Sequence, residues 1–199
     1  MRKIVSLAAV LFLMLSLCAC SSLEYKKAMT AYDDGDYKSA REMFAELGDY
    51  ENSAEMVKDC DYELACELMD DGEYGEAAAL FEDLNGYKDS ADRAEECYTK
   101  EIDVLVQGDW HANAYSIEMS YQFNNGRFKV GMSAGTSALE NEGTYRIDTD
   151  SKEIYVCYDY IISTSGKTPN TEEKLLFTYT YDGSDFVLKN AVGEIAEKD

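Results

Sequence analysis

Hydrophobic residues recur every three or four positions in the first half of this chain, whereas in the second half they alternate with polar residues. The first pattern covers residues 25–104 and predicts α-helices, because this spacing gathers apolar side chains on one helix face. The second pattern follows Val104 and predicts β-strands, whose successive side chains point to opposite faces. The change of period predicts an α+β protein in which the helical and β regions are segregated.

The helical half contains one segment written twice, with a period of 37 residues. A fixed period of this length indicates stacked repeats, each of which buries a face that its neighbour supplies. Asn52 and Glu55 are the predicted cap of the third helix, and Gly72 is its predicted end. Identical residues one period apart include Tyr25/Tyr62, Ala28/Ala65, Gly35/Gly72, Phe44/Phe81, Tyr50/Tyr87, Ser53/Ser90 and Cys60/Cys97. The predicted helices cover 23–34, 36–47, 52–71, 73–84 and 89–104.

A Gly-x-Tyr-x-x-Ala turn joins the paired helices, and a phenylalanine lies near the end of the second helix. These features resemble tetratricopeptide repeats, whose usual period is about 34 residues. The longer period here predicts additional residues in 47–53 and 84–90. The resemblance implies two helical pairs followed by one additional helix that closes the stack. It also implies a concave surface that binds a peptide or protein. The alternative is that the repeats act only as a spacer. The structural repeat positions are Tyr37, Ala40, Phe44, Tyr74, Ala77 and Phe81.

Three β-hairpins are predicted in the second half, because tight-turn residues separate its alternating segments. They join 114–123 to 127–132, 143–148 to 153–163, and 175–181 to 186–189. Residues 164–174 are polar and contain Pro169, so they are predicted to form a surface loop. These segments predict about six or seven strands in an antiparallel meander.

The residues Gly108-Asp109-Trp110, Tyr121-Gln122-Phe123 and Gly143-Thr144-Tyr145-Arg146-Ile147 are similar to those of lipocalin-like domains in bacterial lipoproteins. The resemblance implies that residues 105–191 form a lipocalin-like barrel or half-barrel in which Trp110 plugs one end. The interior of such a barrel either holds a small molecule in an apolar cavity or is packed solid. The candidate ligand or partner contacts are Tyr155, Tyr158, Tyr160, Tyr179 and Tyr181.

The amino terminus combines two basic residues with the apolar run Ile4–Leu17, which is shorter than the roughly 20 residues of a membrane span. It fits the core of a secretory signal. The following Leu17-Cys18-Ala19-Cys20 resembles a bacterial lipoprotein signal. The resemblance implies that residues 1–19 are removed, that Cys20 carries acyl chains such as palmitate, and that 20–24 is a linker to the cell membrane, on its extracytoplasmic side. The alternatives are an ordinary signal cleaved elsewhere or an uncleaved anchor.

The acidic charge of the chain is concentrated in the repeats. The formal net charge is −22, and residues 21–103 contribute −17 of it. Such a surface repels phosphate backbones, so nucleic acid is not predicted as a partner. It attracts basic partners or loosely held divalent cations, or it is a solvated face that keeps the protein soluble.

Catalytic and metal-binding patterns are not evident. His111 is the only histidine, and no nucleophile motif accompanies it, so the chain is predicted not to be an enzyme. No cofactor or metal is predicted, because the cysteines lack metal-ligand spacing. Buried free thiols are predicted instead of disulfides for Cys60, Cys66, Cys97 and Cys157.

Together these patterns predict a signal in 1–19, repeats in 25–104, a β domain in 105–191 and an acidic tail in 192–199. The leading hypothesis is a membrane-anchored lipoprotein of the cell envelope that uses its repeats as a non-catalytic module for binding an envelope protein or peptide. The alternative is small-molecule binding by the β domain, with the repeats as a stalk.

Overall fold

The computed structural model describes residues 21–114, 117–134, 137–163 and 166–199. The described residues form two compact units, which are divided between Ala94 and Glu95. The division falls earlier than the boundary expected after residue 104, because the last turns of the fifth helix pack into the core of the second unit.

Five helices precede the strands in the described residues, which confirms the predicted order. α1 covers residues 21–33, and the others are α2 (Tyr37–Leu47), α3 (Ser53–Asp71), α4 (Tyr74–Asp83) and α5 (Ser90–Val106). Gly72 ends α3 with a φ of 84° in the left-handed region, where glycine avoids the clash that a β-carbon would cause.

The two repeats share backbone conformation as well as sequence. In the segment that lengthens each repeat, Glu51 and Lys88 occupy equivalent positions and have φ values of 50° and 53°. The amide of Ser53 donates to the carbonyl of Tyr50 at 3.1 Å, and the amide of Ser90 donates to that of Tyr87 at the same distance. The additional residues therefore form one ordered turn, used twice.

Each repeat is packed around an equivalent phenylalanine. Phe44 and Phe81 both have 0% exposure. The ring of Tyr25 meets that of Phe44 at 5.5 Å, and Tyr62 meets Phe81 at 5.6 Å, both edge to face. Other buried members of these repeated positions are Ala28, Ala40, Ala65 and Ala77, whereas Tyr37 and Tyr74 are half-buried.

Asn52 precedes α3 as predicted, but its side chain does not cap the helix. Its carboxamide oxygen accepts a hydrogen bond from the hydroxyl of Tyr25 on α1. One period later, the hydroxyl of Tyr62 donates to Asp89. The predicted capping box is therefore wrong, because the side chains that precede α3 and α5 accept hydrogen bonds from tyrosines of α1 and α3 instead.

The second unit contains a closed eight-stranded antiparallel barrel. Its strand order is β1-β10-β9-β8-β5-β4-β3-β2, and a separate β6–β7 hairpin lies between β5 and β8 in sequence. The strands are β1 (Gly108–Ala114), β2 (Ile117–Asn124), β3 (Arg127–Ala134), β4 (Ser137–Asp148), β5 (Glu153–Tyr158), β6 (Tyr160–Ser163), β7 (Gly166–Pro169), β8 (Glu173–Tyr181), β9 (Phe186–Asn190) and β10 (Ile195–Lys198).

Three details of the β region differ from the sequence predictions. The segment expected to be an acidic tail contains β10, which pairs with β1 and closes the barrel. The expected surface loop contains β7, paired with β6. The long strand expected over 153–163 is divided at Asp159. The strand total was underestimated because β1 and β10 are polar and pair over a long sequence separation.

The barrel interior is filled by large side chains. The ring centroids of Tyr121 and Phe177 lie 4.7 Å apart, and those of Phe123 and Tyr145 lie 5.1 Å apart. The buried core also contains Trp110, Ala112, Phe128, Val130, Ile154, Val156, Tyr179, Leu188 and Ala196. Since aromatic rings occupy these inward positions, the described interior is a packed core.

The last turns of α5 pack against one end of this core. Ile102 and Val106 belong to the buried cluster. The hydroxyl of Tyr145 donates to Asp103, and that of Tyr181 donates to Glu101 at 2.8 Å. The helix thus covers the end of the barrel at which β1 begins.

We predict that Phe44→Ala and Phe81→Ala each lower the free energy of unfolding by about 3–5 kcal/mol, because each removes a fully buried ring. The two losses should agree within about 1 kcal/mol, since the surroundings are equivalent. Urea denaturation followed by circular dichroism measures both. Leu23→Ala is the control, because Leu23 is 56% exposed on α1; a small loss at only one phenylalanine would contradict equivalent packing.

Candidate functional site

The five candidate tyrosines of the β domain do not converge on one site. Tyr158, Tyr179 and Tyr181 belong to or pack against the barrel core. Tyr155 has its ring 4.7 Å from the guanidinium of Arg146, and its hydroxyl donates to Glu153. Tyr160 lies on the β6–β7 hairpin and is 44% exposed.

Trp110 is a buried core residue, as the sequence predicted. Its indole N–H donates to the carbonyl of Val106 at 2.8 Å, which joins β1 to the end of α5. The ring also meets that of Phe186 edge to face at 5.9 Å. These contacts assign Trp110 a structural role at the end of the barrel that α5 covers.

A polar groove of about 310 Å³ lies on the outer face of the barrel near His111. The Nδ1 atom of His111 is 3.1 Å from a carboxylate oxygen of Asp199. Ser120 pairs with His111 across β1 and β2. A serine, a histidine and an aspartate therefore occur together, although the sequence separates them widely.

These three residues do not have the geometry of a nucleophilic triad. The Ser120 hydroxyl lies 2.5 Å from the position that a β-carbon on Gly131 would take. It therefore points toward β3, whereas His111 lies on β1, on the other side. In a triad the serine hydroxyl bonds to the histidine. The groove consequently provides polar contacts, with no nucleophile aimed at its histidine.

The two repeats differ in charge at one turn on the surface of the helical unit. Lys88 occupies the position of Glu51 one period earlier, so the charge of this turn is reversed. The Lys88 ammonium lies 2.8 Å from Asp59 and 3.7 Å from Glu63 on α3. Burial opposes its charge, but the hydrogen bond and charge of Asp59 and the charge of Glu63 outweigh this and raise the pKa of Lys88.

Tyr32 of α1 adjoins the same carboxylates. Burial raises the pKa of Tyr32 to about 12, and the charges of Glu63 and Asp59 contribute. Tyr32 has Met69 as its counterpart one period later, so it is not a repeated packing position. We name Tyr32, Asp59, Glu63 and Lys88 the α3 cluster. It is a polar and aromatic surface formed by α1, α3 and the segment between α4 and α5.

The four described cysteines Cys60, Cys66, Cys97 and Cys157 are free. Cys60 and Cys97 are buried, and the other two are half-buried rather than buried as predicted. Burial raises the pKa of the Cys60 thiol to about 11, so this thiol is protonated near neutral pH. Within the described ranges, no group of three His, Cys, Asp or Glu side chains is arranged to hold a metal ion.

The fold defines an α+β protein that joins repeated helical hairpins to an eight-stranded barrel. No family model, curated protein or solved structure matches this chain. Among the helices of the described ranges, none has the length and apolar character to cross a bilayer. Cys20, the predicted lipid attachment site, lies outside the described residues.

We predict that Glu63→Gln lowers the pKa of Tyr32 from about 12 toward the ordinary value of 10.0, because one carboxylate that opposes its ionisation is neutralised. NMR titration of ring-labelled tyrosine, assigned with Tyr32→Phe, measures the shift. Glu67→Gln makes the same charge change on an exposed face of α3 and should leave Tyr32 unaltered.

The raised pKa of Tyr32 also determines how the stability of the protein changes with pH. The folded state holds the Tyr32 proton more tightly than the unfolded chain does, so its contribution is fully present below about pH 10 and is lost as pH rises through about 12. Urea unfolding across this window should show a smaller loss for Tyr32→Phe than for the unmodified protein. An identical loss would contradict the raised pKa of Tyr32.

Proposed function

We propose that this protein is an extracytoplasmic lipoprotein, anchored through Cys20, whose tetratricopeptide-like repeats bind a basic segment of another envelope protein. The observation that carries the proposal is the structural equivalence of the two helical repeats, down to the unusual φ values of Glu51 and Lys88. Repeats that stack in this way present side chains of successive helices on one continuous surface, which suits recognition of an extended partner.

The α3 cluster is the part of this surface that favours a basic partner. Asp59 and Glu63 are one helical turn apart, and both contact the ammonium group of Lys88. An arginine or lysine from a partner offers these carboxylates a second cation, and charge-assisted hydrogen bonds of this kind are the stronger ones. The net charge of −17 over residues 21–103 attracts such a partner from a distance.

The barrel completes the molecule as a lipocalin-like domain in this proposal. Small-molecule binding by its interior remains the alternative, and it requires an empty apolar space. The inward positions carry aromatic side chains in mutual contact, such as Tyr121 and Phe177. We therefore favour the helical unit as the binding module and assign the barrel interior a structural role.

The lipid anchor is tested by replacing the predicted attachment residue. We expect Cys20→Ser to abolish labelling by a palmitate analogue and to release the protein from the membrane or leave the unprocessed precursor, because the thiol that receives the lipid is absent. Cys66→Ser is the control, since Cys66 lies within α3 and its loss leaves the signal intact. Normal labelling of Cys20→Ser would exclude Cys20 as the attachment site.

The interaction module is tested by site-specific photocrosslinking in intact cells. A photoreactive phenylalanine at Tyr32 should give one saturable adduct, and the same group at exposed Thr180 on the barrel should not. Asp59→Asn together with Glu63→Gln should abolish the adduct because the acidic contacts are gone, whereas Glu67→Gln should keep it. Crosslinking that is equal at both positions, or that persists in the double variant, would favour a spacer instead.

A further inference from the structure

The two ends of the barrel differ in how their side chains are covered. One end, at which β1 begins and β2 ends, is covered by α5. The opposite end, which we call the mouth, is where β2, β4 and β8 begin and β9 ends. Neighbouring barrel strands run antiparallel to each other between these ends, and the β6–β7 hairpin separates β5 from β8 in the sequence.

Apolar side chains on the inner face become exposed at the mouth. Along β2 the inward residues Tyr121 and Phe123 are 2% and 1% exposed, whereas Ile117 on the same face is 36% exposed. On β3, Val130 is 3% exposed and Met132 is 37% exposed. The exposure therefore follows position along the barrel axis.

These exposed residues are contiguous. Met119 of β2 pairs with Met132 of β3, and Met132 pairs with Leu139 of β4. Leu139 is 60% exposed. Residues that are directly opposite on neighbouring strands have adjacent side chains on the same face. Ile117, Met119, Met132 and Leu139 thus form one surface, which we call the mouth patch.

Carboxylates adjoin the mouth patch. Glu118 follows Ile117 and Glu140 follows Leu139, so these two apolar residues each have an acidic neighbour on the outer face. Other charged residues at this end are the acids Glu172, Glu173 and Glu194 and the bases Lys167 and Lys174, and Glu173 is paired with Arg146 at 3.1 Å. The mouth therefore combines an apolar centre with an acidic surround.

The occupant of the patch has to remain at the barrel end, because the core behind it is filled by Tyr121, Phe177 and their neighbours. A second copy of this acidic chain would bring like charges together, and an anionic lipid surface would do the same. Methionine and leucine side chains adapt to irregular apolar surfaces, and methionine-rich acidic surfaces suit amphipathic helices with basic residues.

We propose that the mouth patch binds a basic amphipathic segment of a partner polypeptide. The apolar face of the segment covers Ile117, Met132 and Leu139, and its lysines or arginines meet Glu118 and Glu140. This binding goes beyond the function proposed for the helical unit, since it uses different residues in the other compact unit.

The test uses the full chain with labelled methionine methyl groups. The probe is a synthetic leucine–lysine peptide of about 18 residues, which forms about five helical turns. On titration, the methyl resonances of Met119 and Met132 should shift and saturate, because these residues lie in the patch. In the Asp59→Asn, Glu63→Gln double variant, which lacks the acidic contacts of the α3 cluster, those of Met29, Met43, Met56 and Met69 in the helical unit should not shift. Single Met→Leu substitutions assign each resonance.

Two variants separate apolar docking from general charge attraction. Leu139→Ser should weaken the peptide by about tenfold or more, measured by calorimetry. Val104→Ser removes an equally exposed valine from α5, where Val104 is 58% exposed, and should change the affinity less than about twofold. Thermal unfolding establishes that both variants are folded.

Three outcomes would overturn the proposal. Shifts confined to the methionines of the helical unit would move binding to that unit. Equal binding of a leucine–glutamate peptide would remove the role of the carboxylates. Saturable binding of phosphatidylcholine vesicles, with shifts of Met119 and Met132, would identify a lipid surface as the occupant. Failure of photocrosslinking at Tyr32 affects none of these readouts, so the two proposals are tested separately.

Discussion

A tyrosine that contacts two other helices at once is the constraint on which each helical repeat depends. Tyr25 of α1 meets Phe44 of α2 through its ring and Asn52, just before α3, through its hydroxyl. Tyr62 makes the same two contacts one period later, with Phe81 and Asp89. The ring fixes the packing within a hairpin, and the hydroxyl fixes where the next hairpin begins. This double role explains why the period is kept at 37 residues, including the longer turn.

The barrel depends on a comparable closure at one end. Trp110 bonds to the carbonyl of Val106, and Tyr145 and Tyr181 bond to carboxylates of α5. These bonds attach strands that are far apart in the sequence to a single helix. One end of the packed core is thereby covered, while the apolar residues at the other end stay exposed. The two ends of the barrel differ because the chain enters the barrel through α5, which covers only the end where β1 begins.

The sequence predicted the helices to within a few residues because their pattern is present twice, and each copy supports the other. The β2–β3 hairpin was predicted because Asn125-Gly126 permits the tight turn. The sequence did not predict β1 and β10 as strands, because they pair with each other over a long sequence separation, with Trp110 opposite Lys198. The residue pattern within either segment alone does not predict this pairing. Strand pairing had to be known before the barrel could be recognised as closed.

The same limit explains why the sequence alone does not separate the candidate tyrosines that face the core from those on the surface. A register shift between Ile154 and Tyr155 changes which residues of β8 oppose β5, so the inward or outward position of nearby side chains cannot be read from alternation alone. The asymmetry of the barrel ends was also hidden, because a methionine such as Met132 looks like an ordinary core residue in a strand pattern. Its exposure depends on distance along the barrel axis.

Comparison within the molecule separates structural from functional positions where relatives would normally do so. Positions that are identical in both repeats, such as Phe44 and Phe81, are buried and account for packing. Positions that differ, such as Lys88 against Glu51, lie on the surface and change its charge. In the barrel, the alternation of inward and outward side chains distinguishes buried from exposed positions, except at the mouth, where inward residues reach solvent. The α3 cluster therefore lies where the two repeats differ, and the mouth patch lies where inward strand residues are not buried.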